Sequence, residues 1–238
     1  MGFVVAVIFL TVFLWSWAVR RPATPDTANL SPAPLVYAAI GASDVVGIGA
    51  TDPSAESWVN ALHAMMPPNT RFVRLGRGGI TLREANRLEV PQAAAAHPDI
   101  VTLWNCVNDA LRGVPLSDYV KDLRSALDKL TRETNASIVV LNVPDISTLM
   151  AQNLDSQQEA MIRGGVQQWN KAIATTAAEY GGRVSVVDLF SVSDEIAEHP
   201  EYISPDNFHP STTGYRRLAE IVWKTIEHDG LLERPAAR

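Results

Sequence analysis

The sequence predicts an α/β domain in which a five-stranded parallel sheet lies between two layers of helices. From Leu35 onward, short apolar segments alternate with amphipathic helical patterns, which is typical of a parallel sheet covered on both faces. The apolar segments are continuously hydrophobic rather than alternating, as strands buried on both faces should be. With 238 residues, the chain is long enough for one such domain with a well-buried core.

Five segments are predicted to be the strands of this sheet. They are Leu35–Ile40, Arg71–Leu75, Ile100–Trp104, Ile138–Leu141 and Val184–Val187. In an open parallel sheet, ligands bind at the carboxyl ends of the strands. The turn at Ser43 and the loops Gly76–Gly79 and Asn105–Asp109 each follow a strand, so we expect them to cluster at one edge of the sheet.

Helical signals lie between the strands. Asp52 and Pro53 are a good cap and first-turn proline, which predicts a helix through Met65. Another helix is predicted from Met161 to Tyr180, ended by a Gly-Gly pair. Two further helices carry apolar stripes, formed by Tyr119, Leu123, Leu127 and Leu130 and by Tyr215, Leu218, Ala219, Val222 and Ile226.

The first 20 residues contain an apolar segment that is followed by a basic pair. Phe3–Val19 is uncharged, and Trp15 and Trp17 stand where an interfacial aromatic belt would lie. A membrane anchor fits better than a cleaved signal peptide, because the basic start and the small-residue cleavage site are both poor. A buried core helix fits worst, since residues 21–34 hold four prolines and are predicted to be an extended linker. The globular domain is therefore assigned to residues 35–238.

Composition argues against several kinds of partner. The formal net charge is −6 and no run of Lys and Arg could follow a phosphate backbone, so nucleic acid is not expected. Cys106 is the single cysteine, which excludes an intramolecular disulfide. The His and Cys residues lack metal-ligand spacing, and Gly47-x-Gly49 lacks the third glycine of a dinucleotide loop. Neither a metal nor a cofactor is expected.

Two segments carry the residues of a nucleophilic hydrolase. Ser43 follows the first predicted strand within Gly-Ala-Ser-Asp, and Asp206 stands three residues before His209. A serine hydroxyl becomes a useful nucleophile when a histidine takes its proton and a carboxylate fixes the tautomer of that histidine. The sequence predicts a triad of Ser43, His209 and Asp206, with Asp188 as a weaker substitute for the carboxylate.

Acyl transfer also needs hydrogen-bond donors for the oxygen on which negative charge develops. Candidate donors are the backbone N–H groups of Ser43 and Gly79 and the side-chain amide of Asn108, with Gly78 as the alternative to Gly79. Each residue also has a purely structural interpretation as a turn glycine, a loop asparagine or a helix-capping serine. Their occurrence together with the Asp-x-x-His pair favours the catalytic interpretation.

In this order and spacing, the blocks resemble those of the SGNH/GDSL hydrolase family. Ser43 matches the first block, Gly79 the second, Asn108-Asp109 the third, and Asp206-x-x-His209-Pro210 the fifth. The resemblance extends from about residue 36 to residue 217, which is nearly the whole domain. It implies that Ser43, Gly79, Asn108 and His209 have the roles of the four residues that name the family.

The chain departs from the family pattern at two places. The first block is usually Gly-Asp-Ser-Leu, but here Ala42 replaces the aspartate and Asp44 replaces the leucine. The third block has Val107 where many members have glycine. An α/β-hydrolase is disfavoured, because that fold carries its serine in Gly-x-Ser-x-Gly deep in the chain, whereas Val45 stands two residues after Ser43.

The resemblance implies a three-layer, flavodoxin-like SGNH fold and a serine hydrolase that needs no cofactor. Its expected substrates are carboxylic esters of lipids, short acyl groups or acetylated glycans. The walls of the substrate pocket are expected to come from the loops Ile146–Ser156 and Ser191–Ser204. Acyl transfer to a sugar hydroxyl and a non-catalytic glycan- or lipid-binding domain remain alternatives, and a nucleotide-binding protein is the weakest. Family members are often exported, so the domain is expected outside the cytoplasm, tethered or secreted, although Arg20-Arg21 favours the opposite orientation.

Overall fold

The computed structural model describes residues 34–147 and 154–233. The predicted anchor, and the linker up to residue 33, lie outside the described residues and stay predictions. The described residues form one compact unit. Among the helices of the described ranges, none combines the length and the apolar character that crossing a membrane requires.

Five parallel strands form one sheet with the order β2-β1-β3-β4-β5. They are β1 (Val36–Gly41), β2 (Arg71–Arg74), β3 (Ile100–Trp104), β4 (Ser137–Leu141) and β5 (Val184–Val187). The predicted α/β class and all five predicted strands are confirmed, with ends that shift by one residue at most. Strands β3 and β4 are buried along their whole length, as their continuous hydrophobicity predicted.

Helices cover both faces of this sheet. They are α1 (Ser43–Val46), α2 (Trp58–Met65), α3 (Leu82–Leu88), α4 (Val90–Ala95), α5 (Cys106–Leu111), α6 (Leu116–Glu133), α7 (Ser156–Ala178), α8 (Glu195–Glu198) and α9 (Thr212–His228). In one layer α6 packs against α3, α4 and α7, and in the other α9 packs against α2. The predicted apolar stripes of α6 and α9 are buried in the core.

The predicted start of helix α2, at Asp52 and Pro53, is wrong. The Asp52 carboxylate accepts hydrogen bonds from the backbone N–H (2.9 Å) and the hydroxyl (2.6 Å) of Ser54, which closes a local turn. Helix α2 begins only at Trp58, where the Ser57 hydroxyl accepts a hydrogen bond from the backbone N–H of Asn60. The Asp52-Pro53 pair is therefore compatible with a helix cap and with a local turn, and the sequence alone does not distinguish these two structures.

The long helix α7 begins five residues before its predicted start at Met161. Asp155 caps it by accepting hydrogen bonds from the backbone N–H groups of Gln157 and Gln158. The Met161 side chain is 72% exposed, so the first turns of this helix carry no apolar stripe that periodicity could detect.

A buried carboxyl group lies beneath the end of β1. The Glu89 side chain is fully buried between α3 and α4, and its Oε2 accepts a hydrogen bond of 3.2 Å from the backbone N–H of Gly41. Its Oε1 has no partner among the described residues. Burial raises the pKa of Glu89 to about 8, against the smaller opposing effects of the Gly41 hydrogen bond and the Arg77 charge. This carboxyl group is therefore mostly protonated at neutral pH.

We predict that replacing this group by its neutral isostere stabilises the protein at alkaline pH. A carboxyl group whose pKa is raised on folding contributes stability that is present at acidic pH and is lost as the pH rises through the raised value. The variant Glu89→Gln keeps the hydrogen bond from Gly41 without this loss. It should exceed the wild type in unfolding free energy by about 1–3 kcal/mol at pH 9 and match it near pH 4.

Thermal unfolding between pH 4 and pH 9 measures this difference. The exposed Glu227 offers a matched control, since Glu227→Gln removes the same ionisable group without burial. A Glu89→Gln effect that is constant across this pH range would contradict the protonation assigned to Glu89.

Candidate active site

The predicted site residues lie at the carboxyl edge of the sheet, where the strand order reverses. Ser43 follows β1, and Asn108 lies in the helix that follows β3, while β2 is the other neighbour of β1. In open α/β sheets this reversal leaves a crevice outside the strand ends in which ligands bind. The topology therefore brings the first and third sequence blocks to one crevice.

His209 and Asp206 form a hydrogen-bonded pair. His209 Nδ1 lies 2.7 Å from Asp206 Oδ2. The other carboxylate oxygen, Oδ1, accepts hydrogen bonds from the Ser204 hydroxyl (2.8 Å) and from the backbone N–H groups of Phe208 and His209 (2.9 Å each). Partial burial opposes ionisation, but the hydrogen bonds from His209, Ser204 and Phe208 outweigh it and hold the pKa of Asp206 below its ordinary range.

The loop that carries this pair is closed on itself. Ile203 and Pro210 form an antiparallel bridge, and the backbone N–H of Ser204 donates to the carbonyl of His209 at 2.8 Å. Asn207 adopts the left-handed conformation (φ +59°) between them. A tight turn therefore fixes the carboxylate and the imidazole relative to each other before any contact with the rest of the site.

Helix α9 ties this loop to the turn that carries Ser43. The Tyr215 hydroxyl donates a hydrogen bond of 2.6 Å to the Ile48 carbonyl, and the Thr212 hydroxyl accepts one of 2.9 Å from the backbone N–H of Thr51. Gly49 (φ +99°) lies so close that a Cβ there would be 2.9 Å from His209 Cβ. His209 is thus packed directly against the segment that follows Ser43.

Ser43 is the first residue of α1, and its side chain is largely buried. Its neighbour Asp44 interacts electrostatically with both His209 and Asp206, which places the pair beside the serine turn. In the described ranges, no hydrogen bond to the Ser43 hydroxyl is present. Hydrogen bonds between a nucleophile and its base are often long before substrate binds. The role of Ser43 stays a prediction.

The second and third blocks meet on the other side of the crevice. Asn108 Nδ2 donates a hydrogen bond of 3.1 Å to the Ile80 carbonyl, and Asp109 Oδ2 accepts one of 2.8 Å from the backbone N–H of Leu82. These bonds attach α5 to the loop that contains Gly79, which has a positive φ of +76°. An asparagine amide has two hydrogens, so Asn108 can hold this loop and still offer a donor.

Asp188, the alternative carboxylate, forms hydrogen bonds with residues other than His209. Its Oδ1 accepts hydrogen bonds from Asn142 Nδ2 (2.8 Å) and from the backbone N–H groups of Phe190 and Ser191. It organises the loop after β5, whereas the pair with His209 is made by Asp206. The alternative carboxylate is therefore not the one that the fold brings to the imidazole.

Arg74 is a structural residue of the site that sequence reasoning missed. Its guanidinium donates to the carbonyls of Val45 (2.7 Å), Val46, Pro53 (2.9 Å) and Ser54 (3.0 Å). Two of these carbonyls belong to α1, the short helix that Ser43 begins. No local motif in the sequence could have revealed the role of Arg74, because all four partners are more than 19 residues away.

An apolar cavity of about 120 Å³ adjoins the serine turn. Ile146 lines it, as do residues between Val192 and Ile203 of the second predicted wall loop, whereas residues 148–153 of the first lie outside the described residues. Residues of α9, a helix that the sequence did not assign to a pocket wall, complete the cavity, including Leu218 and Ile221. Within residues 34–147 and 154–233, no group of three or more His, Cys, Asp or Glu side chains could hold a metal ion.

Comparison with known proteins identifies the family. The family model for GDSL-like lipases and acylhydrolases matches residues 39–217. The chain belongs to this family and is a carboxylic ester hydrolase. No curated protein sequence matches the chain.

Solved structures with similar folds agree with this assignment. TesA has 21% sequence identity and a TM-score of 0.65, with 82% of this chain and 99% of that chain covered. A lipolytic protein of the G-D-S-L family from Veillonella parvula has 19% identity and a TM-score of 0.63, with 81% and 98% covered. A family 3 carbohydrate esterase from Clostridium thermocellum has 20% identity and a TM-score of 0.63, with 84% and 98% covered. They share the predicted three-layer fold, which is thereby confirmed.

We predict that Gly49 is required for the placement of His209. A Cβ at this position would lie 2.5 Å from the Pro210 carbonyl oxygen, and alanine disfavours a φ of +99°. Gly49→Ala should lower kcat/KM for a simple ester by about 10- to 100-fold, because small displacements of catalytic groups are costly.

The matched control is Gly164→Ala, in the interior of α7, where a Cβ would contact nothing within 4 Å. This variant should keep full activity and gain about 0.5–1 kcal/mol of stability. Equal activities of the two glycine variants would contradict the packing role of Gly49.

Proposed function

We propose that this protein hydrolyses carboxylic esters through a triad of Ser43, His209 and Asp206. The observation that carries the proposal is the 2.7 Å hydrogen bond between His209 Nδ1 and Asp206 Oδ2, on a loop packed against the serine turn. An ionised carboxylate can only accept hydrogen bonds, so Nδ1 carries the hydrogen. The Nε2 lone pair is then free to act as the base.

In the first step, His209 Nε2 takes the proton of the Ser43 hydroxyl while Oγ attacks the ester carbonyl carbon. Asp206 stabilises the imidazolium that forms, because its negative charge lies within hydrogen-bonding distance. The protonated Nε2 then gives its proton to the alcohol oxygen as the C–O bond breaks. The acyl group stays on Ser43. Water, deprotonated by the same nitrogen, attacks this acyl-enzyme, and the nitrogen returns the proton to Ser43 Oγ as the acid is released.

The carbonyl oxygen becomes negatively charged in both tetrahedral intermediates. We assign its stabilisation to the backbone N–H groups of Ser43 and Gly79 and to the second amide hydrogen of Asn108. The contact between Asn108 and the Ile80 carbonyl supports this assignment, since it holds the amide beside the Gly79 turn. Donors fixed in this way need no reorganisation when charge develops.

We predict that Ser43→Ala abolishes catalysis. The triad acts as a unit, so kcat for p-nitrophenyl acetate should fall by about 10⁴-fold or more. A fluorophosphonate probe should label the wild type and fail to label the variant, since only an activated serine reacts with it. Ser125→Ala, on the exposed face of α6, is the matched control and should behave as the wild type does.

Labelling or full esterase activity in purified, folded Ser43→Ala would remove Ser43 from the mechanism. Absence of labelling in the wild type would favour the non-catalytic binding domain.

We predict that Asn108→Ala lowers kcat by about 10²- to 10³-fold with little change in KM, as loss of one oxyanion donor does. The isosteric variant Asn108→Asp keeps the size of the side chain but places a carboxylate beside the oxyanion, so it should be at least as impaired. Steady-state kinetics over a range of ester concentrations separates the two parameters. A rise in KM at unchanged kcat would show instead that Asn108 only binds substrate.

A further inference from the structure

Asp44 is the charged residue that the family pattern does not explain. It follows Ser43 directly in α1 and occupies the position where leucine is usual. Its side chain forms part of the wall of the apolar cavity beside the serine turn. The cavity therefore adjoins the segment that carries Ser43, because the residue next to Ser43 in the chain lines it.

Asp44 has no ion-pair partner in the described part of the chain. Apart from its own backbone N–H, no group there donates a hydrogen bond to the carboxylate. His209 is near, but its Nδ1 is bonded to Asp206. An isolated carboxylate in apolar surroundings is costly unless an opposite charge approaches it. The carboxylate of Asp44 thus has no ion pair of its own, although the nearby charge of His209 favours its ionised form.

The other charges on the cavity wall neutralise each other. Arg217 donates to both oxygens of Glu195 at 2.7 Å each and to Glu220 at 3.1 Å. Within the described part of the chain, Arg217 and Glu195 are the other two charged residues that line the cavity, and they form an ion pair with each other. Among the charged residues that line the cavity, Asp44 is therefore the one that forms no ion pair within the described part of the chain.

The rest of the wall suits an organic cation. Trp104, Tyr202 and Phe208 contribute aromatic side chains, and aromatic rings attract cations through their negative faces. The volume of about 120 Å³ is somewhat smaller than the cavity of about 150 Å³ that holds benzene in another protein. A compact group such as trimethylammonium fits this size, whereas a long acyl chain does not.

We propose that Asp44 and the aromatic wall of this cavity bind a compact alkylammonium group of the substrate, so that the enzyme prefers cationic esters to neutral esters of the same shape. This inference rests on the proposed function, because the ester must be attacked by Ser43. It adds a substrate class and a specificity-determining residue to that function.

Matched pairs of esters test the proposal. Acetylcholine and 3,3-dimethylbutyl acetate differ only by nitrogen in place of carbon on the alcohol side. Phenyl 4-(trimethylammonio)butyrate and phenyl 5,5-dimethylhexanoate do the same on the acyl side. In at least one pair, kcat/KM should be about tenfold higher for the cation, in line with a desolvated cation–π contact beside a carboxylate.

The variant Asp44→Asn removes the charge at nearly constant shape. The ratio of kcat/KM values within the preferred pair should then fall towards one, whereas Glu227→Gln, which removes an exposed charge, should leave the ratio unchanged. If Asp44→Asn lowers both rates of the pair by the same factor, Asp44 acts through His209 and the proposal is wrong.

The wild type provides a second readout that needs no folded variant. Burial raises the pKa of Asp44 to about 6, the charge of His209 and the Asp44 backbone N–H oppose this rise, and Asp206 adds to it. Tyr215 and Cys106 also face Asp44, and burial raises the pKa of both, so they stay neutral near pH 6. The cation preference should be complete above pH 7 and should disappear as the pH falls to 5.

Dividing the two rates cancels any effect of pH on the catalytic steps that the two esters share. A ratio near one at pH 7.5 for both pairs, with the neutral esters hydrolysed, would overturn this inference and leave the proposed function standing. Failure to hydrolyse any ester, together with no labelling of Ser43 by a fluorophosphonate, would remove both.

Discussion

The structure depends on one constraint, which is that a loop at the end of the chain must hold His209 against a turn near its beginning. Within the loop, the bonds that Asp206 accepts fix the imidazole in one orientation. Between the loop and the turn, the hydrogen bond from Tyr215 to the Ile48 carbonyl spans 167 residues of sequence. If this contact were lost, the Asp-His pair would keep its own hydrogen bonds but would lose its position beside the serine turn.

The crevice combines two electrostatic environments with different purposes. On one side, Asn108 and the Gly79 loop offer neutral donors, which suit an oxygen that becomes negative during the reaction. On the other side, Asp44 lines an apolar cavity, where we propose that its negative charge attracts a cationic group of the substrate. An ester with a positively charged group would place its carbonyl and its cation in these two environments respectively.

Two buried carboxyl groups stabilise segments next to the site. Glu89 holds the end of β1 through Gly41, and Asp109 holds the start of α3 through Leu82. Burial raises the pKa of both carboxyl groups, that of Asp109 to about 6. The end of β1 and the start of α3 are thus held by hydrogen bonds in the core, in addition to the contacts in the crevice.

The sequence by itself determined the five strands, the buried stripes of α6 and α9 and the pairing of Asp206 with His209. These features are local, since hydrophobic periodicity and a spacing of three residues need only a few neighbours in the chain. The start of α2 was predicted wrongly because Asp52 closes a turn. The same residue type caps helices and closes turns, so the sequence signal does not distinguish these two structures. Only the tertiary structure decided the Arg74 contacts, the α9 wall of the cavity and the isolation of Asp44. Each of these depends on which distant segments pack together, and no local pattern records that choice.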